Sequence, residues 1–368
     1  MRNFFTSNFL KAISILVGTT IGAGIFAIPY VTARAGFWIG IFWLVVLTIV
    51  TLFVNLAYGN VIVKTPGDHQ LTGYGRLYLG NFGKWFSFAA ILIGQYGALL
   101  AYIIGVGKFL GTIFAAPESS FLFSLAFFAI STAIVYFGLR LVSKFEGIIV
   151  LLMIGLVFAL AVLSLPKINF STYHLPLTTY NFFLPFGVIF SALAGYAIIP
   201  EMEEVLRRER KQLPKAIIIG TLIPALVYLI FMATVVGISG AQTSEEAIIG
   251  LVPFFSPAIV KAGAFFGILA MGSSFLTLSF VLRETFFRDF SLPKNISWAL
   301  AVFPPFILFL FGARSFVGVL STSGTLMGLL TTTLILALYL KTRTTKLLTY
   351  RIKSTESIMV NRENLPLF

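Results

Sequence analysis

Long apolar runs, almost free of charge, recur from one end of the 368-residue chain to the other, each closed by a short polar or basic stretch. A helix needs ~20 such residues to cross the hydrocarbon of a bilayer. The pattern predicts ten spanning segments, at about 9–34, 37–63, 85–114, 120–138, 146–165, 181–206, 214–238, 257–287, 296–311 and 315–340. A polar loop from Lys64 to Lys84 separates the second from the third, and a polar connection runs from Pro166 to Tyr180. Residues 240–256 read as a loop with a short amphipathic piece from Glu245 to Phe255. The weak alternation of a membrane β-barrel is not seen.

Two segments are irregular. The first contains Gly18-Thr19-Thr20-Ile21-Gly22-Ala23-Gly24-Ile25-Phe26-Ala27-Ile28-Pro29. Glycine costs about 1 kcal/mol in a helix interior relative to alanine, so three within seven residues make a weak centre. The sixth has Ser191-Ala192-Leu193-Ala194-Gly195 followed by Pro200 and Glu201. Unwound backbone at membrane depth survives where it is buried in protein or lines a cavity. A helix broken there offers free amides to an anion and free carbonyls to a cation. Gly18-xxx-Gly22 also suits a plain helix-packing face, as do the small residues of segment 6. A phosphate loop is excluded because no strand precedes the glycines. Five spans precede the second break and none the first, so the second half enters from the opposite side. That predicts inverted repeats over about 9–165 and 181–340 within one domain of residues 1–340, with a basic tail at 341–368.

Composition narrows the class. The chain is 58% hydrophobic and 11% charged, with a mean hydropathy of +0.98, which points to a multi-pass membrane protein. The net charge of +13 is a matter of topology: with the N-terminus inside, 21 of the 26 lysines and arginines fall on the inner side and five outside. Both termini are then cytoplasmic, in a plasma (inner) membrane, and no nucleic-acid partner is needed. There is no cysteine, so disulfides, thiolate catalysis and cysteine metal sites are excluded. The first apolar run is too long for a cleavable signal peptide and lacks a cleavage site.

The stretch from Gly18 to Tyr30 closely resembles the first segment of amino acid permeases in the amino acid–polyamine–organocation superfamily, in the aromatic amino acid permease and amino acid/auxin permease branches. Ala194 to Met202, with the basic run and Pro214-Lys215-Ala216-Ile217 after it, is similar to their sixth segment. Ala101 to Gly105 is similar to their third and Ser273 to Leu276 to their eighth. The resemblance covers residues 10 to about 290 and implies an all-α LeuT-type fold, a 5+5 inverted repeat with broken helices 1 and 6, and secondary amino acid transport.

On this reading a substrate carboxylate meets the amides of Gly22, Ala23 and Gly24, in the same stretch as Thr20. Its ammonium meets carbonyls around Ser191, Ala192 and Ala194, beside Gly195. Gln95, Tyr96, Leu99 and Tyr102 are candidates from segment 3 to face its side chain, though a membrane tyrosine also serves as packing or an interface anchor. In sodium-coupled relatives, a carbonyl and two hydroxyls spaced like Ala270, Ser273 and Ser274 join carbonyls at positions matching Gly18 and Ile21. The same serines can instead bond to their own helix. Ile25 stands where some relatives place an asparagine for a second sodium, so only one is expected. Segment 5 lacks the lysine of some proton-coupled relatives, which favours sodium over a proton. Glu201 is the alternative proton carrier, or a partner of Arg207, Arg208 or Lys11. Arg2 and Asp289 resemble an inner-gate pair by position. No further cofactor is implied.

The expected function is cation-coupled symport of a neutral amino acid, tryptophan, tyrosine and branched side chains being compatible. The alternative is an amino-acid-sensing receptor on the same fold. A channel lacks its polar stripe. An enzyme lacks actors, since the only histidines, His69 and His174, are in loops and no acidic pair lies at membrane depth.

Overall fold

The computed structural model describes residues 7–137, 146–174 and 181–344. It is helical throughout. The first segment is two helices, α1 (Ser7–Thr20) and α2 (Gly24–Ala35), bent by 55° across Ile21 to Ala23. Then come α3 (Phe37–Lys64), α4 (Leu71–Ile113), α5 (Ser120–Phe137) and α6 (Glu146–Ser164). The sixth segment is again divided, into α7 (Leu184–Ala192) and α8 (Ile199–Val205), joined by non-helical residues and one 3-10 turn over Tyr196–Ile198. The chain ends in α9 (Leu213–Ser239), α10 (Pro257–Asp289), α11 (Lys294–Leu310) and α12 (Phe316–Thr344). Among the described residues, eight helical stretches are long and apolar enough to cross a membrane, and the bent α1–α2 pair makes a ninth crossing. The tenth predicted segment is α11, apolar but 17 residues long.

Two connections differ from expectation. The predicted polar loop from Lys64 to Lys84 is helical from Leu71 and bends at Gly80, whose φ of 67° suits only glycine. Leu71, Tyr74 and Tyr78 are buried on one face of that first stretch. Tyr74 meets Tyr58 edge-on at 5.8 Å, and the Tyr78 and Thr65 hydroxyls lie 2.8 Å apart. Tyrosines supply the apolar face here, which is why the stretch looked polar. The expected amphipathic piece from Glu245 to Phe255 is a chain of turns with a 3-10 turn at Ile249–Leu251, not an α-helix. At the other end, α12 runs to Thr344, so the helix takes in the first residues of the expected tail. Arg2 and the tail beyond residue 344 lie outside the described residues, as does the side chain of Asp289, the last residue of α10.

The broken helices lie at the centre. α1 packs on α8 and α9, and α2 packs on α7 and α9. The two broken segments therefore run antiparallel, half against half. α12 closes on α4 and α7, and α3 lies along α9.

Candidate functional site

The first break is built by its glycines. Ile21 still donates to Val17 at 2.9 Å, and bonding resumes only with Ile25 and Phe26, which reach back three residues to Gly22 and Ala23. Among the described residues, the amides of Gly22, Ala23 and Gly24 donate to no backbone carbonyl. No side chain caps α2 either, since Ala23 has none to offer. The start of α2 thus points unpaired donors, and the positive end of a helix dipole, into the interior.

The second break faces it closely. A Cβ built on Gly24 would lie 2.5 Å from that of Ala192, and one on Gly195 would lie 2.8 Å from Thr20 Oγ1. Neither position has room for a side chain. In the second break the Ser191 carbonyl accepts the Ala194 amide at 3.3 Å, and Gly195 accepts Ile198 at 3.3 Å. The Ala192 carbonyl is taken by a residue that sequence reasoning missed. Tyr228 of α9, fully buried, places its hydroxyl 2.7 Å from the carbonyl of Thr20 and 2.9 Å from that of Ala192. One hydroxyl hydrogen is shared between the last turns of α1 and α7. The available signal was a lone tyrosine in an apolar span, at four-residue spacing from Gly220 and Pro224, both buried on the same face.

The candidates on α4 point in different directions. Tyr102 lies at the breaks: a Cβ on Gly22 would stand 3.6 Å from its hydroxyl. Leu99 is wholly buried, and Gln95 buries its Oε1 without a partner. Tyr96 turns elsewhere, donating to the Leu300 carbonyl of α11 at 2.6 Å.

Of the five candidate sodium ligands, Ala270, Ser273 and Ser274 lie within about one turn of α10. Gly18 has Val150 of α6 as its neighbour, and α10 packs on α4, α6 and α11. Ser273 donates to the Ala270 carbonyl at 3.0 Å, which leaves lone pairs on both oxygens; Ser274 is half-buried next to them. Glu201 is exposed at the start of α8, while Arg207 bonds to Asp68 at 2.6 Å and Arg210 pairs with Glu203.

Above the breaks the structure is shut. Phe26 of α2 meets Phe109 at 5.2 Å and Phe231 at 6.3 Å, both edge-on. Beside Phe109 on α4, Lys108 pairs with the buried Glu246 and reaches Glu245 at 3.4 Å. Glu245 also accepts the Ser315 hydroxyl at 3.2 Å and the Phe316 amide at 3.1 Å. The loop between α9 and α10 is thereby tied to α4 and to the start of α12. Burial pushes the Glu246 carboxyl above its usual range, and Lys108 pulls it the other way.

The model of the tryptophan/tyrosine permease family matches residues 5–360. The chain belongs to that family. This permease is 24% identical over 94% of its length to glutamine transporter 2 of Aliivibrio fischeri, covering 90% of it. It is 28% identical over 85% of its length to tyrosine-specific transport system 2 of Haemophilus influenzae, covering 82% of that protein. Among solved structures it resembles MhsT in complex with L-phenylalanine, with a TM-score of 0.62 and 16% identity over 89% of this chain and 87% of that one. The permease therefore has the LeuT-type fold. It is an integral multi-pass membrane protein and a secondary active amino acid transporter, not an enzyme.

Proposed function

We propose that the permease carries a neutral amino acid inward with a coupling cation, by alternating access. One observation carries this reading: the unpaired amides at the start of α2 face the second break with no ionised side chain between them. The carboxylate would sit at Gly22, Ala23 and Gly24. The ammonium would take carbonyl oxygen near Ala194 and compete with Tyr228 for Thr20 and Ala192. The relatives named for tyrosine and glutamine are consistent with a neutral substrate, and Tyr102 beside Gly22 favours an aromatic one.

Sodium would sit among the oxygens of Gly18, Ile21, Ala270, Ser273 and Ser274, where Ser273 can keep its hydrogen on Ala270 and offer its oxygen to the cation. Residues about 9–165 and 181–340 would be two inverted repeats, with both termini cytoplasmic in the plasma membrane; this rests on the distribution of lysine and arginine.

The test is uptake of a mixture of labelled amino acids into proteoliposomes under an imposed sodium or proton gradient. Concentrative uptake with sodium, lost in Ser273→Ala with Ser274→Ala, is the expected result. Uptake with the proton gradient alone would remove the sodium site and turn attention to Glu201. Saturable binding without flux would favour a receptor.

A further inference from the structure

An internal cavity of about 10 Å³ lies between α3, the second break and α12, lined among others by Thr51, Asn55, Phe190, Tyr196, Met327 and Thr331. Thr51 and Asn55, one turn apart on α3, are 4% and 1% exposed. Many threonines in these helices spend the hydroxyl on the carbonyl four residues back, as Thr48 does at 2.6 Å and Thr331 at 2.7 Å. Thr51 does not, and its buried Oγ1 has no partner. Asn55 donates through Nδ2 to Thr221 at 3.3 Å, which leaves its Oδ1 also without a partner. Whichever way the amide is turned, one end lacks a partner.

Two orphaned polar atoms on adjacent turns, beside a void, are a rare arrangement, because buried polar groups are paired with protein or with ordered water. A water needs about 10–15 Å³ of such space and two to four polar partners. We propose that this cavity is a binding site for a single water molecule, held by Thr51 Oγ1 and Asn55 Oδ1 on α3 and facing Tyr196 of the second break. Water supplies what the pair lacks: a donor for the asparagine oxygen, and a donor or acceptor for the threonine. A metal cation is the poorer occupant. The lining holds no carboxylate, and a charge enclosed by Phe190, Met327 and neutral oxygens would be uncompensated.

The water would link α3 to the unwound stretch of the sixth segment through a contact that can be broken without repacking side chains. That consequence rests on the transport reading; occupancy of the site does not.

The sign of one substitution decides. Thr51→Val keeps the shape and removes the hydroxyl. In a dry cavity it deletes an unsatisfied group and should raise the thermal midpoint of the full chain. With water bound it removes a hydrogen-bond partner, and the midpoint should fall by about 2–4 °C. A rise or no change overturns the proposal. Repeating the measurement with choline chloride in place of sodium chloride should leave the fall unchanged. A fall seen only in sodium would mean a cation and would overturn it too. Where the variant does not fold, density in a high-resolution structure of the unmodified permease decides: a single peak within hydrogen-bond distance of both Thr51 Oγ1 and Asn55 Oδ1 is expected, and an empty cavity is fatal. Failure of the uptake experiment bears on none of these readings.

Discussion

Tyr228 holds two backbone carbonyls with one hydroxyl, in a place where water cannot replace it. A buried acceptor stripped of its partner costs about 1–3 kcal/mol. Tyr228→Phe should therefore lower the thermal midpoint of the purified protein and, because the freed carbonyls are those the substrate ammonium competes for, tighten substrate binding, read by equilibrium binding. An unchanged affinity would mean that the bridge serves packing alone. Gly24 gives a steric test. Gly24→Ala puts a methyl group 2.5 Å from the Cβ of Ala192 and should abolish uptake, whereas Gly155→Ala, where nothing lies within 4 Å, should leave uptake at its normal rate. Glycine counts in the sequence made both breaks legible, because the cost of glycine in a helix is local. Tyr228 was not legible in that way, since its role depends on which carbonyls two other helices leave free.

At the scale of elements, the tie between Lys108, Glu245 and Glu246 fastens the loop between α9 and α10 to α4 and α12. Release of the loop between α9 and α10 would expose Ile248, now 1% exposed. Because the chain has no cysteine, Ile248→Cys supplies a unique reporter. The Glu246 carboxyl is raised above its ordinary 4.5 by burial, so the closed loop binds a proton more tightly than an open one. That contribution to closure is complete below pH 4.5 and is lost as the pH rises through the raised value. Thiol labelling, divided by the rate of the same thiol in an unstructured peptide at each pH to remove the thiolate dependence, should accordingly speed up with rising pH across that window, and Glu246→Gln should flatten the corrected dependence. Ion pairs such as this were invisible in the linear pattern, since Lys108 and Glu246 are 138 positions apart. The spans themselves were visible because apolar length is a property of contiguous sequence. The helix after Leu71 was misread as loop because its buried face is made partly of tyrosines.

On the scale of the whole permease, a single cross-link should arrest the cycle. Lys108→Cys with Glu246→Cys, joined by a reducible bis-methanethiosulfonate linker about as long as the ion pair it replaces, is expected to stop proteoliposome uptake, and reduction should restore it; uptake that survives linking would mean the loop between α9 and α10 need not move. The fold class followed from ten runs and two breaks, but the relative placement of Gly18 and Ser273 did not. Gly18 and Ser273 are placed by the tilt of α1 relative to α10, which no local pattern encodes. The contact of Gly24 with Ala192 has a mechanical consequence. Two packed rods whose tightest approach has no side chain between them have a natural fulcrum there. α1 has 14 residues and α2 has 12, giving lever arms of about 21 and 18 Å. A rocking of about 10° would carry each far end by roughly 3–4 Å while the contact itself stays still. The substrate would lie at the one place in the molecule that need not travel.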